Sequence, residues 1–329
     1  MNVLVTGATG FVGIHLTRRL VQDGHAVRIL ARSAASASRV SALEAEVVIG
    51  DVTDPAAIDC AVAGAEIVYH LAGAFQGVRA DAQYWRVNVD GTRYVIEAAL
   101  RHGVRRLVHC STSGVHGPST NGPLTEESPL AHSPWNLYEV TKAAGERLVL
   151  SAAREHGLDA VVFRPAAIYG PGDLRLLKLF RAIAKRRFVM LGDGQPQYHT
   201  VYIDDLIDGI LQCAGRPEAL GEAFILAGPR ATSIQELVET IAEAVGTSVP
   251  RWRLPVGPVY AAGVLCEWAC KPLKIAPPLH RRRVDFFRYH RLFDSAKAKR
   301  LLGYAPQVDL QTGIERTARW YQEEGWLNG

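Results

Sequence analysis

The feature that most constrains this chain lies at its start, where Val3-Leu4-Val5-Thr6 runs straight into Gly7-Ala8-Thr9-Gly10-Phe11-Val12-Gly13. A short apolar run meets three glycines at three-residue intervals, and then the apolar periodicity of a helix that ends near Gly24. Gly7 permits a tight strand-to-helix turn. Gly10 lets the backbone approach a ligand, and Gly13 lets the helix lie close on the strand. The helix N-terminus presents unpaired N–H groups and a partial positive charge, which favour a pyrophosphate. The turn is therefore expected to hold a dinucleotide, with Thr9, Phe11 and Val12 beside the glycines.

The same rhythm continues downstream. Strand-like runs at 2–6, 26–31, 46–49, 67–71, 106–110 and 160–164 alternate with helical patterns. Several runs are uninterruptedly apolar, as strands covered on both faces must be. This predicts an α/β fold, a doubly wound parallel sheet with helices on both sides. After Arg164-Pro165 glycine and proline break the chain and helical stretches dominate. A cofactor-binding domain over 1–165 is expected, followed by a smaller, mostly helical substrate-binding region over 166–329. Residues 198–227 are expected to fold back on the first domain. At the end of the second strand stands Ala31-Arg32-Ser33. A carboxylate there would bond the ribose hydroxyls and repel a 2′-phosphate, whereas Arg32 offers a phosphate its partner. The expected cofactor is NADP, with NAD as the alternative.

Tyr138 and Lys142 lie four residues apart in a helical stretch and so share one face. A tyrosine with a pKa of about 10 is a poor base at neutral pH unless positive charge stabilises the phenolate, and Lys142 supplies such charge. Upstream, the run His109-Cys110-Ser111-Thr112-Ser113 puts hydroxyls at the end of a strand, where parallel sheets bind ligands. A hydroxyl there is placed to hold the substrate oxygen.

Together these segments resemble the extended short-chain dehydrogenase/reductase superfamily, also called the NAD-dependent epimerase/dehydratase family. The resemblance spans nearly the whole chain. It takes in Thr6 to Gly13, Asp51-Val52, His70-Leu71-Ala72-Gly73, Asn88 to Thr92, Ser111 to Gly117, Tyr138 to Lys142 and Arg164-Pro165. It continues through Tyr169-Gly170-Pro171, Val201 to Asp205, Phe293 to Lys297 and Leu302-Gly303-Tyr304. It implies a Rossmann-type sheet, adenine contacts from Asp51 and Val52, and a backbone lining of the cofactor from Leu71, Ala72 and Gly73. Pro165 is placed with the cofactor contacts. The resemblance further implies Tyr138 as the acid–base group and Lys142 as the lysine that also holds the nicotinamide ribose. Thr112 matches the family's Ser/Thr position, with Ser113 the second candidate. His116 stands where many members have tyrosine, and Ser113 and His116 are expected at the substrate. Asn88 matches a structural asparagine.

Departures narrow the reaction. Dehydrating members carry Asp-Glu after the threonine, and here Ser113-Gly114 stands instead. Many nucleotide-sugar members carry Arg-Asp where this chain has Tyr198-His199-Thr200, although Arg282, Arg283 and Asp285 resemble a late diphosphate site. The main expectation is an enzyme, an epimerase or dehydrogenase acting by hydride transfer on a nucleotide sugar. The alternative is a reductase of a sterol-like or terpenoid substrate, similar to 3β-hydroxysteroid dehydrogenases. A non-catalytic dinucleotide sensor is the third reading. The apolar stretch from Val256 to Cys270 reads as a core helix, a pocket wall or a surface that touches a membrane.

Composition excludes little else. The formal charge of +4, from 37 basic and 33 acidic residues, gives no case for nucleic acid as a partner. Five scattered cysteines form neither a disulfide framework nor a metal pattern, so no metal is expected. No basic segment and signal-peptide core precede the opening strand, so no signal peptide is expected, and no run is long enough to span a bilayer. A cytoplasmic homodimer is expected, pairing through helices at about 83–101 and 136–155.

Overall fold

The computed structural model describes residues 1–75, 80–130, 136–249, 252–270, 275, 278–279 and 284–327. Seven strands form one parallel sheet: β1 (Asn2–Thr6), β2 (Ala26–Ala31), β3 (Glu46–Ile49), β4 (Ile67–His70), β5 (Arg106–Cys110), β6 (Ala160–Pro165) and β7 (Ala223–Leu226). Their order is β3-β2-β1-β4-β5-β6-β7. The chain reverses its direction of winding between β1 and β4, which opens a crevice at their carboxyl ends. Sequence reading finds the first six strands. The seventh, Ala-Phe-Ile-Leu, is too short to stand out between Gly221 and Gly228, and its pairing with β6 defines it.

Alternation along β1 explains both layers. Val3 and Val5 point to one face, where they meet Leu16 and Leu20 of α1 (Phe11–Gln22). Leu4 points to the other, toward Ile58 of α2 (Pro55–Val62), Val95 of α3 (Gly91–Arg101) and Val149 of α4 (Leu137–His156). Each of these side chains is essentially fully buried, and burial of a valine or leucine contributes about 1.5–3 kcal/mol. The later part of the chain adds α5 (Ile203–Gly215) to the β1-Val3 face and packs Leu310–Glu323 on Ile234–Ala244. Among the described residues no helix is long and apolar enough to cross a membrane.

Two histidines sit inside the sheet. His70 has its ring nitrogens 2.8 and 3.1 Å from the hydroxyls of Thr6 and Thr92. His109, 5.2 Å away ring to ring, has both nitrogens buried without a partner. Burial, reinforced by the charge of Lys142, lowers His70 to about 3 and holds His109 well below its ordinary value. The unfolded chain takes up these protons below pH ~6.5 and the folded chain does not, so stability falls as pH falls. Each histidine is expected to cost about 1.4 kcal/mol per pH unit below that point. Urea midpoints between pH 7 and 4 should show this, and His109→Leu should flatten the slope without loss of stability at pH 7. An unchanged slope in that variant would contradict the account.

Candidate active site

Two cavities meet at the glycine turn. The smaller, about 440 Å³, is bounded by Thr9, Arg32, Asp51, Val52, Ala72 and Gly73. The larger, about 550 Å³, is bounded by Phe11, Val12, Thr112, Ser113, Tyr138 and Pro165, among others. Gly7, Gly10, Leu71 and Phe75 are walls of both. Gly7 has φ +71°, and a Cβ there would sit 2.7 Å from the Ala72 nitrogen. A Cβ on Gly13 would fall 2.2 Å from the Gly7 carbonyl oxygen. These glycines are thus required by close approach of backbone to backbone. Helix α1 starts at Gly10 with no side-chain cap and no acidic residue in its first turn, so its free N–H groups are open to an anion. The cradle fits a dinucleotide, with free N–H groups at the turn and a cavity on either side of it. One oxygen of Asp51 is used by Thr53, accepting from its N–H and its hydroxyl at 2.8 Å each. Arg32 is exposed at the rim of the smaller cavity.

At the other end, Thr112 leaves β5 and caps the short turn Ser113–His116, accepting from the Gly114 N–H at 3.1 Å. Tyr138 stands in the first turn of α4, its ring met edge-on by Phe75 at 4.8 Å. Burial raises Tyr138 above the usual phenol range, with Cys110 adding to it, and the Thr112 hydroxyl and the Arg175 charge pull the other way. Lys142, one turn on, is buried. Desolvation lowers it, while Cys110 and Glu146 oppose that shift. A Cβ on Gly73 would lie 3.8 Å from the Lys142 ammonium. Burial thus favours the neutral phenol of Tyr138, and a phenolate there would need nearby positive charge. Asn88, in a wide helical turn over Arg86–Asp90, ties this helix to the cofactor wall. It bonds both backbone groups of Ala74 at 2.7 and 3.1 Å and the Thr141 hydroxyl at 3.0 Å.

Beneath these groups lies a buried network that the sequence did not reveal. Arg164 of β6 donates its Nε to both oxygens of Glu146, at 3.1 and 3.2 Å, and its Nη2 also bonds Glu146. Ser111 donates to Glu146 at 2.5 Å. Arg164 Nη1 bonds His116 Nε2 at 2.9 Å and the Glu126 carbonyl at 3.1 Å. The other nitrogen of His116 faces the Pro129 carbonyl at 3.3 Å. His116 is thus turned into the floor of the site and does not bound the cleft, whereas Ser113 does. Arg282 and Arg283 lie outside the described residues.

Phe75, Arg175, Tyr198, His199, Arg291 and Phe293 complete the larger cavity. Tyr198-His199 carried a signal in the sequence, as the replacement of an expected Arg-Asp, and Phe293 opened a segment of the family resemblance. Phe75, Arg175 and Arg291 come from loops that only the fold brings together. The apolar helix Val256–Cys270 is neither core nor cleft wall. Only Gly263 in it is buried, and Leu265 and Trp268 are 65% and 77% exposed.

A family model of the NAD dependent epimerase/dehydratase family matches residues 3–227. The chain is 33% identical to the 2-alkyl-3-oxoalkanoate reductase of Stenotrophomonas maltophilia, covering 96% of this chain and 98% of that protein. It is 32% identical to the decarboxylating sterol-4-alpha-carboxylate 3-dehydrogenase of Saccharomyces cerevisiae, covering 98% of each. Its fold is that of UDP-glucuronic acid 4-epimerase from Bacillus cereus, solved in complex with NAD, with a TM-score of 0.79 at 23% identity over 98% of this chain and 99% of that one.

Proposed function

This chain belongs to the NAD-dependent epimerase/dehydratase family and is an enzyme of hydride transfer at a secondary alcohol or ketone, and we propose that it performs net oxidoreduction of an apolar substrate with NADP. The observation that carries this reading is the wall of the larger cavity. Beyond the glycine turn, Phe75, Ile168, Tyr198 and Phe293 line the cavity that holds Thr112 and Tyr138. Such aromatic and apolar surface rewards burial of a hydrocarbon more than that of a sugar. The curated relatives, named as a reductase and a dehydrogenase, support the same direction.

When bound, the cofactor supplies or accepts the hydride. Thr112 would hold the substrate oxygen, and Tyr138 would pass it a proton in reduction and take one away in oxidation. Lys142, buried beside it, would stabilise the phenolate and hold the ribose. Thr9, Phe11, Val12 and the three glycines would hold the pyrophosphate, with Asp51, Val52 and Arg32 at the adenosine. A thermal-shift screen of the cofactor-loaded protein tests the substrate class. Long-chain ketones or sterols should raise the melting temperature and UDP- and GDP-sugars should not. The reverse pattern would replace this reading with a nucleotide-sugar enzyme.

The NADP preference rests on Arg32, which stands at the end of β2 where no carboxylate is present. Arg32→Ala should weaken NADP by roughly tenfold, the worth of one charge-assisted hydrogen bond, and leave NAD unchanged. Calorimetry showing tighter binding of NAD by the wild type would refute the preference.

A further inference from the structure

The cleft beside Tyr138 carries two guanidinium groups, and only one is engaged. Arg175 donates its Nε to Asp173 at 2.9 Å and its Nη2 to the Ile168 carbonyl. Arg291 is fixed only through its backbone, whose N–H donates to the Gln197 carbonyl at 2.8 Å and whose carbonyl accepts from the His199 N–H at 3.0 Å. Its half-buried side chain makes no hydrogen bond or ion pair among the described residues, and its Nε is shielded from solvent without a partner. A buried donor left unpaired is costly, and burying hydrocarbon around it raises that cost. Glu139, a carboxylate on the same cleft wall, lies against Gly114.

We propose that Arg291 receives a carboxylate carried by the substrate, so that the substrate is an apolar hydroxy or oxo acid rather than a neutral alcohol. This rests on the apolar-ketone reading above and names its substrate class. A single free guanidinium presents a planar fork that matches the two oxygens of a carboxylate. A diphosphate spreads its charge over two phosphates and calls for more than one cation, and the neighbouring Arg175 is already committed to Asp173. Tyr198, bridged to Arg291 through the backbone, and Phe293, two residues on, add aromatic surface to the same cleft. That surface suits a hydrocarbon chain attached to the acid.

Calorimetry of the cofactor-loaded protein with 3-hydroxydodecanoate and with its methyl ester tests this, in wild type, Arg291→Gln and Arg291→Lys. The wild type should prefer the acid by about tenfold or more. Arg291→Gln should bind acid and ester alike, and Arg291→Lys should keep part of the preference. Because the guanidinium bonds nothing among the described residues, both variants should fold. Equal affinities in the wild type, or a preference that survives in Arg291→Gln, would overturn the proposal. So would tight binding of UDP that is lost in Arg291→Gln, which would assign the arginine to a diphosphate. Turnover of the matching 3-oxo compounds reports on the parent reading separately. A protein that binds the acid through Arg291 but reduces neither acid nor ester would sink the ketone chemistry and leave the carboxylate site standing.

Discussion

Tyr138→Phe is expected to lower kcat by ~10²–10⁴-fold while leaving cofactor affinity unchanged. The substitution removes one oxygen from a side chain whose ring stays packed edge-on against Phe75. What is lost structurally is one polar group facing Thr112, so the variant should remain folded. What is lost chemically is the phenol on the larger cavity wall that stands one helical turn from the buried Lys142 ammonium. Stopped-flow oxidation of the reduced cofactor, with a calorimetric titration of the same variant, separates the two losses. Near-normal turnover in Tyr138→Phe would remove Tyr138 from the chemistry.

Arg164→Leu is expected to cost about 3–5 kcal/mol of stability, because it strands the Glu146 carboxylate inside the protein. The two side chains are 5% and 1% exposed, so water cannot take over from the guanidinium. The same arginine also orders Glu126 and His116, so the loop that floors the cleft should loosen with it. A double variant, Arg164→Leu with Glu146→Leu, should recover much of the loss, since it removes both charges together. Urea midpoints of the three variants measure this. A single variant within about 1 kcal/mol of wild type would show that the pair carries little of the stability.

Where a signal was local in the sequence, it was legible. Three glycines spaced for a turn, uninterrupted apolar runs for two-sided strands, and a tyrosine and lysine one helical turn apart all report conformations set within a few residues. Six strands of the parallel sheet and the face shared by Tyr138 and Lys142 follow from such signals, whereas the seventh strand emerges only through its pairing. The pairing of Arg164 with Glu146 was not legible, because the two lie on different elements and a charged residue in a sequence does not announce that it is buried. His116 illustrates the same limit. Its position beside the catalytic hydroxyls suggested a substrate contact, but the need of Arg164 for an acceptor turns the ring inward. Arg291 and Phe75 join the cleft from loops, and no periodicity marks a loop residue. The apolar character of Val256–Cys270 was plain from sequence, yet its exposure depends on what the rest of the chain leaves uncovered.

The most direct test of the central claim is the fate of the cofactor's own hydride. Wild-type protein would be given NADPH carrying deuterium at both C4 positions together with 3-oxododecanoate or its methyl ester, and the product analysed by mass spectrometry. The account predicts one deuterium on the carbinol carbon for each cofactor oxidised, and none of this in Tyr138→Phe. Interconversion of UDP-glucose and UDP-galactose with no net cofactor oxidation, and no labelled carbinol from either ketone, would contradict it.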